Sequence, residues 1–380
     1  MDFFDNYYRK YLGLSLIEDS NICKVFSDDT IKYYVYFNNN KMKKILKISF
    51  ANDFMIFHEK DVDYETNDDK TMLLPKTSKG KVKKITTSLL DSLNGIGTYF
   101  SLYKSKGEEG HFVIGNYTTQ RSYYEGRVLE DFFTEKQLIK WLDKYVEETS
   151  DEDLLEIKKF STDSRKHIKY KEGDYFRVKL GRHEYGYGRI LMDITKRQKM
   201  GIDYWNILMG KPLIIEMFHI LTKDKNIPIS KLENLPSFPS QHIMDNNFYY
   251  GDYEIIGNGD LPSDIRYPIM YGRSISALDR NKVIFQCGEI HKEIEYNNNL
   301  ISCDDANHIN NFKNNGIGYS IDLNEEIIKE CLKSNTNKPF WDYYKTKKKF
   351  DLRSPVNKEY LLEVLKQFDL EYLYKLYINQ

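Results

Sequence analysis

The stretch Gly173-Asp174-Tyr175-Phe176-Arg177-Val178-Lys179-Leu180, followed after a short turn by Tyr185-Gly186-Tyr187-Gly188-Arg189-Ile190-Leu191, decides how the chain is read. Phe176, Val178 and Leu180 alternate with Arg177 and Lys179, the two-residue period of a strand with one face buried. The second run is another strand, so the pair predicts an antiparallel hairpin. Gly186 and Gly188 alternate with larger residues and strip side chains from one face. That permits strong bending or the close approach of another backbone, and small barrels need such bends at their corners. A strongly bent, barrel-like antiparallel sheet is the expectation. Downstream, Leu213 to Leu221 is nearly continuous apolar sequence, consistent with a central strand covered on both faces or with a buried helix. Pro228, Pro236 and Pro239 punctuate an irregular crossing before Asp252 to Ile256 and Pro262 to Pro268 bring the chain back.

Upstream, the pattern is also that of strands. Ile31 to Phe37 and Lys44 to Phe50 flank an Asn-rich turn, a hairpin signal, and Gly97 to Tyr103 with His111 to Tyr117 form a second pair. The period changes at Thr134-Glu135-Lys136-Gln137, a capping box. Leu138, Trp141, Leu142 and Tyr145 then mark one face of an amphipathic helix. The acidic residues Glu147 to Glu156 read as a solvated helix end plus linker. Near the end, Asn324 caps a short helix with Ile327, Ile328, Cys331 and Leu332 on one face. A last helix from about Asn357 carries Leu361, Leu362, Leu365 and Phe368. The expected organisation is a β-rich domain over 1–155, a second domain over 168–335 and a C-terminal helical segment over 336–380. The class is α+β.

Composition narrows the function classes. The 380 residues, at roughly 150 per domain, predict two or three domains. With 41% hydrophobic residues, including 31 Tyr and 21 Phe, the chain has ample core material, which excludes disorder. Lys and Arg number 56 against 57 Asp and Glu, a net charge of −1. Nucleic-acid binders carry a basic excess or stripe, so direct nucleic-acid binding is not expected. The lysines from Lys76 to Lys84 read as a solvated loop or strand edge, with contact to a polyanion as the alternative. Cys23, Cys287, Cys303 and Cys331 show no metal or disulfide spacing, which fits a reducing compartment. No secretory signal stands at the N-terminus, and no run approaches ~18 apolar residues. A cytoplasmic protein without membrane contact is expected.

The two strands from Gly173 to Leu191, with their double Tyr-Gly, resemble the opening of the bacterial immunity protein 26 family. The resemblance continues through Ile214 to Leu221 and the Pro262 to Tyr271 return, over roughly residues 168–295. It implies an antidote of polymorphic-toxin, contact-dependent competition systems, one that binds and blocks a cognate protein toxin, with a nuclease as one candidate toxin. Some family names also carry a phosphotriesterase label, which implies a competing hydrolase reading. Residues 1–150 resemble no named family, which leaves a two-domain interaction adaptor as a third reading.

The residues themselves argue against catalysis. The eight histidines form no HxH, HExxH or HxxxH pair, so the common metallohydrolase spacings are absent. The nearest candidates are His183 beside Glu184, His242 before Asp245, and His308 after Asp304 and Asp305. Gly272-Arg273-Ser274-Ile275-Ser276 lacks the second glycine of a nucleophile elbow, and no phosphate-cradling loop occurs. Cys287 with His291 is the one conceivable thiol pair. No catalytic residue, cofactor or metal is expected. A partner surface is expected at Tyr185, Tyr187 and Tyr253, because tyrosine joins a large apolar body to a polar tip. Asp252, Asp260 and Asp264 would supply an acidic rim that steers a basic partner.

Overall fold

The computed structural model describes residues 5–28, 30–51, 53–75, 79–128, 134–201, 205, 210–273, 282–296, 321, 323, 325–343 and 351–378. The chain divides into two compact units, Met1–Lys166 and His167–Gln380. The expected helix cap Asn324 and the group Asp304, Asp305 and His308 lie outside the described residues.

In the first unit, strands β1 (Ile22–Ser27), β2 (Lys32–Asn38), β3 (Lys41–Phe50) and β4 (Phe54–Glu65) are followed by the two-residue pair β5 (Met72–Leu73) and β6 (Lys83–Lys84). Then come β7 (Ile96–Ser105), β8 (Gly110–Asn116) and β9 (Arg121–Val128). The long strands form one antiparallel sheet in the order β1-β2-β3-β4-β7-β8-β9. Both hairpins expected from the alternating pattern are present. On one sheet face Leu46, Phe57, Phe100 and Ile114 pack with Leu12 and with Leu138 and Leu142. On the other, Val35, Ile45 and Val62 pack with Leu73, Ile85 and Leu90. Helix α1 (Asn6–Tyr11) is tied to the sheet by charge: Arg9 Nε donates to Glu59 Oε1 at 2.9 Å, and Lys44 Nζ lies 2.7 Å from the same oxygen. All three side chains are buried.

After α2 (Thr87–Ser92), helix α3 (Glu135–Glu147) carries the expected capping box between Thr134 and Gln137. The acidic stretch beyond it differs from expectation. Residues Asp151–Thr162 form helix α4, with a second capping box between Ser150 and Asp153. Ile157 and Phe160, three apart, face the core, while the carboxylates crowd the first turn, where the helix dipole favours them.

The second unit opens with β10 (Asp174–Lys179) and β11 (Tyr185–Asp193), paired antiparallel from Tyr175↔Arg189 to Lys179↔Tyr185. With β12 (Pro212–Met217), β13 (Gln241–Met244) and β14 (Glu254–Asn258) they form a sheet in the order β13-β12-β11-β10-β14. The Leu213 run is therefore a central strand. The class is α+β as expected, but the sheet has two free edges and is not closed, so the barrel-like form is not observed. The irregularities in β11 and β10 fall at Ile190/Met192 and Tyr175/Phe176, where the pairing register shifts. The ladder is irregular at those points and not at Gly186 or Gly188. Neither Gly186 nor Gly188 adopts a positive φ.

A second, three-stranded sheet of β15 (Ile269–Arg273), β16 (Lys282–Cys287) and β17 (Ile290–Glu295) follows. Short helices α5 (Ile194–Lys199), α6 (Ile229–Leu232) and α7 (Asn246–Tyr249) lie within the connections. The C-terminal helices α8 (Glu325–Ser334), α9 (Lys338–Tyr343), α10 (Lys358–Gln367) and α11 (Tyr374–Ile378) cover both sheets of this unit. Ile327, Ile328, Phe340 and Trp341 join Phe176, Val178 and Ile215 in one core, and Leu361, Val364 and Leu365 join Tyr271 and Phe285 in another.

Candidate functional site

Alternation along the central strands of the second unit sends two different sets of side chains to the two faces of the five-stranded sheet. Phe176, Val178, Ile190, Ile215 and Met217 face the helices. Tyr175, Tyr187, Arg189 and Glu216 face the other way, under the crossing that carries Ile227 and Leu232.

On that second face a charged group sits among rings. Arg189 donates from Nε and Nη2 to Glu216 Oε1 at 2.9 and 2.6 Å, and from Nη1 to the Tyr175 hydroxyl at 2.9 Å. Its Nη1 also reaches the Asp260 carbonyl at 3.4 Å, and the guanidinium lies 5.3 Å from the Tyr175 ring centre. Burial raises the Tyr175 pKa above its ordinary value, with Arg189 opposing and the carboxylates Glu233 and Glu216 adding to the rise. Arg177 repeats the theme one step along, paired with Glu254 and 5.3 Å from the Tyr185 ring. Neither pairing was among the expected site residues. The signal for the first was present: a Glu inside the apolar run from Leu213 and an Arg ending the Tyr-Gly-Tyr-Gly run need each other if both strands are buried.

The three expected tyrosines are interior. Tyr187 is fully buried, and its hydroxyl donates to the Asp224 carbonyl at 2.7 Å. Tyr185 packs in the same cluster. Tyr253 stacks on Phe176 at 5.8 Å between ring centres, and its hydroxyl accepts the Ile321 N–H at 3.0 Å. The polar tips of Tyr187 and Tyr253 are satisfied within the fold. The aspartates lie outside: Asp260 and Asp264 are exposed and Asp252 is half-buried. Exposed Glu233 and Glu254 add carboxylates on the same crossing and the same edge strand. The structure thus separates the two halves of the expected surface, placing rings inside and carboxylates at the rim.

Two of the candidate catalytic pairings, Cys287 with His291 and His242 with Asp245, are not assembled as reactive pairs. Cys287 pairs with Ile290 and Gln286 with His291 across β16 and β17, so the thiol and the imidazole point to opposite faces of that sheet. Burial pushes the Cys287 thiol up to about 11, with Sγ 2.9 Å from the Tyr377 hydroxyl. That is an inert thiol. His242 is buried, and its Nδ1 has no hydrogen-bond partner among the described residues, while Asp245 accepts from the Tyr170 hydroxyl at 2.7 Å. Among the described residues no three His, Cys, Asp or Glu side chains gather as a metal would require. No helix among them is long and apolar enough to cross a membrane.

Comparison with known proteins adds one finding. Residues 171–283 match the family model for Immunity protein 26. The matched segment runs from just before β10 into β16 and contains the whole five-stranded sheet, the Arg189–Glu216–Tyr175 group and the acidic rim. It takes in less than a third of the chain. No curated protein and no solved structure matches.

Proposed function

We propose that this chain is an immunity protein, which binds a cognate bacterial toxin and occludes its active site without catalysis. The observation that carries the reading is the family match over residues 171–283, supported by what that segment displays. A dense set of charged and aromatic groups there is spent internally, Arg189 on Glu216 and Tyr175, as in a structural network rather than a reactive centre. What remains for a partner is the rim of Asp252, Asp260 and Asp264 with Glu233 beside it.

Exposed carboxylates attract a basic cleft such as a nuclease presents, and they act chiefly on the rate of encounter. Tyr185, Tyr187 and Tyr253 serve that surface from beneath, holding the strands and loops that carry it. Replacing both Asp260 and Asp264 by Lys should slow toxin association about tenfold or more and flatten its salt dependence, with little change in the melting temperature. Stopped-flow association at several salt concentrations measures this. An unchanged rate would move the interface elsewhere.

A further inference from the structure

The seven-stranded sheet of the first unit ends differently on its two sides. The edge of a sheet exposes unpaired N–H and C=O groups, and proteins usually blunt such edges with bulges, charges, proline or cover. At β9 the blunting is evident: the register against β8 shifts at Ile114/Gly115, and the strand carries Arg121, Glu125 and Arg127. At β1 none is seen among the described residues. All six residues pair with β2 from Ile22↔Phe37 to Ser27↔Lys32 with no shift, and the strand has no proline. Ile22 is 50% and Val25 56% exposed, and Cys23 is exposed as well. Its one charge, Lys24, is tied by Nζ to the Asp69 carbonyl.

The other described edges are protected. Strand β14 faces a bulge in β10 and opens on Glu254, β13 is four residues long, and β17 carries Lys292, Glu293 and Glu295. The residues of β15 from Ile269 to Tyr271 are buried.

We propose that β1 is a self-association edge, along which a second copy of this chain adds its own β1 in antiparallel register. Only an extended backbone complements such an edge, and the strand's own sequence suits it to its copy. In a twofold antiparallel pair, residues directly opposite share a face, so the two strands meet with an even sum of residue numbers. Centring on Lys24 would set two ammonium groups opposite each other, which is repulsive. Centring on Val25 pairs that residue with itself, Lys24 with Phe26 of the second copy, and Cys23 with Ser27. This register sets no like charges opposite and brings exposed Val25 against its copy. One added strand pair buries far less than the roughly 800 Å² per partner of a stable interface, so the dimer is weak and forms with rising concentration.

Sedimentation velocity of the full chain, run from low to high micromolar, tests the proposal. A dimer should appear and grow with concentration. Val25→Lys should weaken it about tenfold or more by setting like charges across the axis, while Val25→Thr, another β-branched residue at this exposed position, should retain it. Glu125→Lys, on the opposite edge, should leave it unchanged. A parent chain that stays monomeric throughout, or a folded Val25→Lys variant that associates like the parent, would overturn the proposal.

Discussion

Gly188 leaves no room for a side chain. A Cβ there would stand 2.4 Å from the Glu216 carbonyl oxygen and 2.5 Å from the Phe176 ring. The alternation of glycines reports close approach of strand β12 and of a core ring, which the sequence allowed as one of two readings; the other, a barrel corner, is not realised. Gly188→Val should therefore lower stability by about 1–3 kcal/mol or more through overpacking. Thermal melts check this, and a variant that melts like the parent would refute the packing account. His242 carries a second residue-scale prediction. Burial, with Arg353 nearby, holds its pKa down at about 3, and burial likewise holds His58 at about 4. Both are ordinarily near 6.5, so the unfolded chain takes up protons that the folded one refuses. Stability is fully present above about pH 6.5 and falls as pH drops towards 4 and below. The melting temperature should follow that course, and His242→Asn should flatten it.

At the scale of elements, local patterning reached far. Strand-like runs flanking turns located β2, β3, β7 and β8, alternation located β10 and β11, and the Thr134 box placed the start of α3. Helix α4 escaped because its acidic first turn masks a narrow apolar stripe of Ile157 and Phe160, and a charge run without a visible stripe reads as a linker. The sheet's openness was not legible, since which distant strands pair, and whether the ends meet, depends on long-range contacts that no local period encodes. The tyrosines misled for a related reason. A ring with a polar tip suits an interface or a core edge equally, and only the placement of Asp224 and Ile321 shows that Tyr187 and Tyr253 are satisfied inside.

The C-terminal helices bear on which fragment can work. Arg353 is buried, grips Asp351 with two bonds and donates to Ser240 Oγ at 3.0 Å. Tyr377 donates to the Tyr267 carbonyl at 3.0 Å. The fragment 168–295 would expose the apolar faces these helices cover, and it should aggregate or remain molten, whereas 167–380 should melt cooperatively. In the first unit, Arg9→Met would leave the buried Glu59 with Lys44 alone, and should cost about 3–5 kcal/mol. Denaturant titration of that unit measures the loss.

For the whole molecule, near-neutral charge made nucleic acid an improbable partner, and the match over residues 171–283 places the acidic rim within an immunity-like segment. The central claim is stoichiometric protection. Its most direct test is titration of the full chain into the cognate toxin the proposal requires, with toxin activity followed at each ratio. The account predicts a linear fall to zero at one chain per toxin, with both proteins recovered intact. Residual activity at saturating chain, or loss of activity at far below one equivalent with the toxin or its substrate chemically altered, would contradict it.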